Sequence, residues 1–290
     1  MSTFTEITFT SNDGLRLYAR DYAAHSGVAK CPVICIHGLT RNSSDFEEVA
    51  PWIASLGRRV IAVDVRGRGY SAYDTDGSHY QPAVYAADIV KLSTDLGIAR
   101  AVFIGTSMGG IITMTLALRH LDLVAGAILN DVGPVLSQPG LDRIGGYAGK
   151  GQTLASWADA TDYIKSINQL AFPDNSREEW GKWARRAFAE NAQGKLALRY
   201  DPNIALALQN GKLKASSAVA KFAFRRLAKK RPTLLIRGAL SDLITIEQSD
   251  YMRAVAPAML YAEVPGVGHA PMLTETVAMT AIRNFLAQVD

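Results

Sequence analysis

Residues 101–110 read Ala-Val-Phe-Ile-Gly-Thr-Ser-Met-Gly-Gly, and a helical pattern continues from them through His120. The apolar run predicts a buried strand, so the segment matches G-x-S-x-G between a strand and a helix. Gly105 and Gly109 are expected to cross so closely that side chains would clash there. A serine on so sharp a turn has a strained backbone, and the helix behind it points its positive end at the hydroxyl. Ser107 is therefore the predicted nucleophile.

Apolar runs of the same kind recur on both sides of this segment, and they are typical of strands buried on both faces. They are 32–36, 60–63, 124–129, 233–236 and 259–264. Helical patterns separate them, so we predict an α/β fold with a mostly parallel, doubly wound sheet. Alternating residues on either side of Asp13-Gly14 predict an antiparallel hairpin at the N-terminus.

One long stretch interrupts the alternation of strands and helices. Residues 133–231 contain no convincing strand, but they contain several helical segments rich in Trp, Tyr and Ala. One of these segments opens with the capping box that begins at Ser176. We therefore predict a helical insertion over 133–231, with the main body formed by 1–132 and 232–290. The basic run 221–231 is expected to be a solvated helix face.

A serine hydroxyl is a weak nucleophile, so it needs a base, and the base needs an orienting carboxylate. Among five histidines, His269 is the predicted base because it follows the last apolar run on a loop at the carboxyl edge of the sheet. The other four, including His37, are expected to be structural or on the surface. The acid should lie between serine and histidine in the chain. Asp242 is the predicted acid, and Asp131 is the alternative, expected instead to make loop hydrogen bonds.

Hydrolysis of an acyl compound also needs two N–H donors directed at the developing oxyanion. The residue after the nucleophile, Met108, is predicted to supply one of them. The loop His37-Gly38-Leu39 at the end of an earlier strand indicates that the backbone N–H of Leu39 supplies the other. Gly38 would provide the bend in that loop.

Together these motifs resemble the α/β-hydrolase superfamily over nearly the whole chain. The resemblance rests on the segments 37–39, 64–71 and 105–109, on the positions of Asp242 and His269, and on the insertion after the sixth strand. It implies that 133–231 is a helical cap and that 64–71 is a structural turn that holds its loop against the oxyanion side. Serine at 107 disfavours the aspartate-nucleophile branches of haloalkane dehalogenases and epoxide hydrolases.

Two other branches of the superfamily fit less well. The loop 37–42 lacks the glycine-rich H-G-x-G-P-G pattern frequent in carbon–carbon hydrolases. Residues 63–67 differ from the W-D-Q-R-G of proline iminopeptidases. The favoured activity is hydrolysis of a small carboxylic ester or lactone through an acyl-enzyme. The alternatives are a carbon–carbon hydrolase or enol-lactonase acting on an aromatic-degradation intermediate, and a slow-turnover ligand receptor.

Aromatic residues of the insertion are candidates for a substrate pocket that would favour apolar or aromatic groups. They are Tyr147, Trp157, Phe172, Trp180 and Trp183, all of which could equally be packing residues. Arg41 could anchor a substrate carboxylate, but a surface arginine paired with Asp45 is the simpler interpretation.

Composition excludes several function classes. The 290 residues carry 31 Lys plus Arg against 27 Asp plus Glu, a small surplus that does not suit a nucleic-acid binder. The sequence shows no metal or nucleotide motif, so no cofactor and no metal are expected. It also shows no membrane span and no secretion signal, so a cytoplasmic monomer or homodimer is expected, with a small molecule as its partner. Cys31 and Cys35 are expected to stay reduced.

Overall fold

The computed structural model describes residues 4–25, 30–206 and 215–289. Its strands are β1 (Thr5–Thr10), β2 (Arg16–Tyr22), β3 (Val33–Ile36), β4 (Val60–Asp64), β5 (Ala101–Thr106), β6 (Val124–Asn130), β7 (Thr153–Leu154), β8 (Phe188–Glu190), β9 (Leu196–Leu198), β10 (Thr233–Gly238) and β11 (Leu260–Val264). Its α-helices are α1 (Val49–Ser55), α2 (Pro82–Asp95), α3 (Met108–Arg119), α4 (Gln138–Tyr147), α5 (Trp157–Asn168), α6 (Arg177–Ala187), α7 (Ala218–Lys230), α8 (Ile246–Val255) and α9 (Thr276–Leu286).

Eight strands form one sheet in the order β1-β2-β4-β3-β5-β6-β10-β11. The pairs β1·β2 and β2·β4 are antiparallel, and every other pair in this sheet is parallel. The predicted N-terminal hairpin is confirmed, with Gly14 at φ 88° in its turn. The parallel strands coincide with the apolar runs of the sequence, so the predicted fold class is confirmed.

The sheet separates two apolar cores, because alternate side chains of a strand point to opposite faces. In β3, Ile34 and Ile36 belong to one core, whereas Val33 and Cys35 belong to the other. The central strands are accordingly buried on both faces. The prediction of full burial was wrong for β11, where Leu260 is 38% exposed. This strand lies at the end of the sheet and has only β10 beside it.

Between β6 and α7 the chain builds a separate layer over the carboxyl ends of the strands. Here α5 and α6 pack against each other around a third apolar cluster that contains Trp180, Trp183 and Phe172. The predicted capping box is present, since Ser176 and Glu179 exchange hydrogen bonds at the start of α6. The prediction that this stretch has no strand was wrong, because β7, β9 and β8 form a small antiparallel sheet. Strands of two or three residues are too short to show an alternating pattern.

The predicted end of the insertion at residue 231 was also wrong. The basic helix α7 packs on α3 of the main body, with Phe224 and Leu227 in the main core. The chain enters and leaves the insertion at one place, where Val135 and Ser216 form an isolated antiparallel bridge. The buried apolar residues of α7 therefore belong to the core of the main body, while its basic residues are exposed. Residues 207–214 of the predicted insertion lie outside the described residues.

Candidate active site

Ser107 lies on the turn between β5 and α3 with φ 52° and ψ −114°, a region that L residues rarely adopt. A Cβ added to Gly105 would lie 2.5 Å from the carbonyl carbon and oxygen of Gly109, which confirms the predicted close crossing. The helix α3 begins directly after the serine, so its positive N-terminal end lies behind the hydroxyl. The turn therefore holds Ser107 at the carboxyl edge of the sheet.

The structure brings His269 to this serine. Its Nε2 lies 2.9 Å from the Oγ of Ser107, and its Nδ1 lies 2.8 Å from Oδ2 of Asp131. A carboxylate accepts hydrogen bonds, so the imidazole carries its proton on Nδ1 and leaves Nε2 to accept from the serine. This is the tautomer that a general base acting on a hydroxyl requires.

The acid of this arrangement is Asp131, and the prediction of Asp242 in that place was wrong. Asp131 follows β6 and has φ 54°, which turns its fully buried side chain toward the histidine loop. Its Oδ1 accepts from the backbone N–H of Gly238 at 2.9 Å, and its Oδ2 also accepts from the Ser241 hydroxyl at 2.5 Å. Three donors thus converge on one buried carboxylate and fix its orientation.

Asp242 is held elsewhere by Arg143 of α4. The guanidinium Nη2 lies 2.8 Å from Oδ1 of Asp242, and Nε lies 2.5 Å from Oδ2. Burial raises the pKa of Asp242, but the hydrogen bond and charge of Arg143 outweigh it, so the pKa is below its ordinary value. Because β6 and β10 are neighbours, both aspartates lie at the same edge of the sheet, and Asp131 is the one of the two that hydrogen-bonds to His269.

Asn130 is a site residue that the sequence analysis missed. Its Nδ2 donates to Oγ1 of Thr106 at 3.0 Å and to the carbonyl of Pro271 at 2.8 Å. The amide therefore ties the ends of β5 and β6 to the loop that carries His269. The one signal in the sequence is that Asn130 directly precedes Asp131.

The loop predicted to supply the oxyanion donors runs beside the nucleophile. A Cβ built on Gly38 would lie 3.7 Å from the Cβ of Ser107, so the loop backbone passes close to the hydroxyl. Met108 is the first residue of α3, where backbone N–H groups have no partner within the helix. Leu39 and Met108 both line a cavity with Ser107, and their role as oxyanion donors stays a prediction.

Buried polar side chains hold the loop 37–39 in place. The carbonyl of Leu39 accepts from Nε of the buried Arg68 at 3.0 Å, so the turn 64–71 holds the loop 37–39 in place, as predicted. His37 accepts from the N–H of Val65 through Nε2 at 3.1 Å and donates to the carbonyl of Gly38 through Nδ1 at 2.7 Å. Burial lowers the pKa of His37 to about 4, so this histidine is neutral and structural, as predicted.

Two cavities open on Ser107. The first, which we name the His269 cavity, has a volume of about 90 Å³. Its lining includes the predicted site residues His269, Arg41, Tyr147, Phe172 and Trp183. It also includes residues that the sequence analysis did not single out, namely Tyr163, Ile167, Asn168 and Tyr200. The second, the apolar cavity, has a volume of about 70 Å³ and is lined chiefly by Tyr80, Tyr85, Met108, Ile111, Val132, Leu136, Leu141 and Leu243. Ser107, Leu39 and Ile144 border both cavities.

The predicted substrate contacts divide between these cavities and other places. Arg41 and Trp183 line the His269 cavity, with the guanidinium carbon 5.3 Å from the ring centroid. Arg41 also donates to Asp45 at 2.7 Å, so the ion pair of the simpler interpretation is present, while an anchoring role toward a substrate carboxylate stays a prediction. The prediction was wrong for Trp157, which lines a separate surface groove between α5 and α6, under the guanidinium of Arg185. Trp180 packs inside the insertion.

The fold, with Ser107, His269 and Asp131 hydrogen-bonded to one another at one edge of the sheet, places the protein among the α/β-fold hydrolases. Residues 32–276 match the family described as alpha/beta hydrolase fold, and the chain belongs to that family. The chain is 33% identical over 258 residues to the 3-hydroxybutyrate-oligomer hydrolase of Cupriavidus necator, and the match covers 87% of each of the two chains. It is 27% identical over 259 residues to the 2-(acetamidomethylene)succinate hydrolase of Mesorhizobium japonicum, which covers 88% of this chain and 87% of the relative.

Among solved structures, an alpha/beta hydrolase from Novosphingobium aromaticivorans is similar to the chain over its whole length. It has a TM-score of 0.91 and 37% sequence identity, with 100% of both chains covered. Within the described residues, no helix is long and apolar enough to cross a membrane.

Proposed function

We propose that the protein hydrolyses small carboxylic esters, lactones included, through an acyl-enzyme formed on Ser107. The observation that carries this proposal is the chain of hydrogen bonds from Ser107 through His269 to Asp131, at 2.9 and 2.8 Å. The relative from Cupriavidus necator supports the reaction class, since oligomers of 3-hydroxybutyrate are joined by ester bonds.

The first half of the reaction transfers the acyl group to the serine. His269 Nε2 takes the hydroxyl proton as Oγ bonds to the ester carbonyl carbon, and the carbonyl oxygen becomes an oxyanion. The N–H groups of Leu39 and Met108 donate to this oxyanion, and Asp131 stabilises the imidazolium through Nδ1. The carbon–oxygen bond to the alcohol then breaks, and the imidazolium gives its proton to the leaving oxygen.

The second half repeats these steps with water. His269 removes a proton from water as the water oxygen attacks the acyl carbon, and the same two N–H groups stabilise the second oxyanion. When the intermediate collapses, the proton returns to Oγ of Ser107 and the acid is released. Each turnover therefore consumes one water and restores the resting hydrogen bonds.

The test is hydrolysis of nitrophenyl esters, simple lactones and 3-hydroxybutyrate dimers by the wild type, by Ser107→Ala and by Ser78→Ala, the last changing an exposed serine that lines neither cavity. We expect multiple turnovers by the wild type and by Ser78→Ala, and a loss of several orders of magnitude in Ser107→Ala. Quenched reactions examined by mass spectrometry should show the acyl group on the peptide that contains Ser107. If Ser107→Ala hydrolyses these esters as fast as the wild type, or no ester is turned over, the proposal is wrong.

A further inference from the structure

The two cavities that border Ser107 have different linings, and this difference assigns the two halves of an ester. His269 lines the His269 cavity, whereas the apolar cavity lies on the side of Met108 and Val132. During acylation the imidazolium must reach the leaving oxygen within hydrogen-bond distance. The alcohol half therefore belongs in the His269 cavity, and the acyl half extends from the carbonyl carbon into the apolar cavity.

The walls of the apolar cavity determine what acyl group it takes. Among the described residues that line it, the polar side-chain atoms apart from that of Ser107 are the hydroxyls of Tyr80 and Tyr85, and both already take part in hydrogen bonds. Tyr80 donates to Asp201 at 2.6 Å, and the Tyr85 hydroxyl accepts from Nη1 of Arg68 at 2.9 Å. A hydroxyl or carboxylate on the acyl chain would exchange its hydration there for at most one hydrogen bond, with the Tyr85 hydroxyl, which is unfavourable.

Size limits the acyl group further. The apolar cavity of about 70 Å³ is roughly half the 150 Å³ of an engineered cavity that accommodates benzene. Ile111, one helical turn after Met108 in α3, narrows it from the side of the main body, and Leu141 of α4 narrows it from the insertion.

We propose that this chain selects a short, unsubstituted aliphatic acyl group in the apolar cavity, with Ile111 setting its length, and places the alcohol against the insertion. This inference rests on the proposed function, because it assigns sides to the ester that Ser107 attacks. The inferred preference distinguishes this chain from a hydrolase that prefers 3-hydroxyacyl groups, because the extra hydroxyl would be buried beside apolar carbon atoms.

The experiment uses two substrate series on the full-length protein. In the first, the alcohol is fixed as nitrophenol and the acyl chain runs from acetate to octanoate; in the second, the acyl group is fixed as acetate and the alcohol runs from ethanol to benzyl alcohol. Wild type, Ile111→Ala and Ile167→Ala are compared, the last shortening a residue of the His269 cavity. Ethyl butyrate and ethyl 3-hydroxybutyrate are compared directly on the wild type.

Ile111→Ala should raise the ratio of kcat/KM for octanoate over acetate about tenfold or more and leave the alcohol series unchanged. Ile167→Ala should change the alcohol series and keep the acyl ratio within about twofold. The wild type should prefer butyrate to 3-hydroxybutyrate by about tenfold, because the added hydroxyl would lose most of its hydration among apolar side chains. If Ile111→Ala changes only the alcohol series, or 3-hydroxybutyrate is preferred, the assignment is overturned while esterase activity itself persists. If the wild type shows no turnover of these esters that depends on Ser107, the proposed function itself is contradicted.

Discussion

Replacing Asp131 with asparagine exchanges one carboxylate oxygen for an NH2 group and tests which carboxylate orients His269. In the folded protein Oδ1 of Asp131 accepts from the N–H of Gly238, while Oδ2 faces Nδ1 of His269 and the Ser241 hydroxyl. An asparagine must keep its oxygen toward Gly238, because the backbone N–H only donates. Its NH2 group then takes the place of Oδ2 beside the histidine.

This substitution reverses the proton on the imidazole. With a donor facing Nδ1, His269 holds its proton on Nε2, where it can no longer accept from the Ser107 hydroxyl. The same change in a serine protease triad leaves the geometry intact and lowers kcat about 10⁴-fold. We expect a loss of about 10⁴-fold in Asp131→Asn, equivalent to about 5 kcal/mol of transition-state stabilisation.

The matched control is Asp242→Asn, which removes the other candidate carboxylate. Asp242 contacts Arg143 at a half-exposed position, and such ion pairs contribute at most about 1 kcal/mol to stability. Its kcat should stay within about threefold of the wild type. Both variants are assayed with a nitrophenyl ester under saturating substrate, and thermal unfolding shows whether each one is folded.

The two variants have opposite expected outcomes, so the comparison is decisive. If Asp242→Asn loses as much activity as we expect of Asp131→Asn while remaining folded, then Asp242 orients the base in solution. An Asp131→Asn variant that is folded and retains more than about a tenth of the wild-type kcat would likewise refute the tautomer argument.

Three further predictions concern stability. A Cβ on Gly109 would overlap the carbonyl oxygen of Ile36, so Gly109→Ala should lower the free energy of unfolding, measured in urea, by about 3 kcal/mol or more. Gly146 lies on a helix with open space around it, so Gly146→Ala should raise the free energy of unfolding by about 0.5–1 kcal/mol. Arg66 is 1% exposed and pairs with three carboxylates, so Arg66→Met should lose about 3–5 kcal/mol, and a change below 1 kcal/mol would contradict this reasoning. Burial lowers the pKa of His37 to about 4, so between pH 6.5 and 4 the unfolded chain binds a proton that the folded chain excludes. Stability from this group is complete above pH 6.5 and should fall by up to about 1.4 kcal/mol per pH unit below it, with a shallower slope in His37→Gln.

Local patterns in the sequence were enough to predict most of the fold. The parallel strands appear as apolar runs because a strand covered on both faces needs apolar side chains at every position. The turn at Ser107 was equally clear, since only glycine fits where the chain crosses itself at 105 and 109. These features depend on neighbours in the chain, and each one restricts residue type where it occurs.

Features built from distant contacts were not visible in the sequence. The small sheet of the insertion pairs Thr153 with Ala197, and neither strand is long enough to show a period. The helix α7 has the same amphipathic pattern whether it covers a cap or a sheet, and its packing on α3 decided which. The position of Trp157 in a surface groove, rather than in the His269 cavity, likewise depends on how α5 packs against α6.

The choice of acid shows the division most clearly. The sequence by itself determined that a serine, a histidine and a carboxylate would gather at the carboxyl edge of a parallel sheet, because strand order and chain direction bring the loops there. It offered Asp131 and Asp242 as carboxylates, each just past a strand. Only the tertiary structure decided between them: a backbone φ of 54° turns Asp131 toward His269, while Arg143, 99 residues away along the chain, holds Asp242.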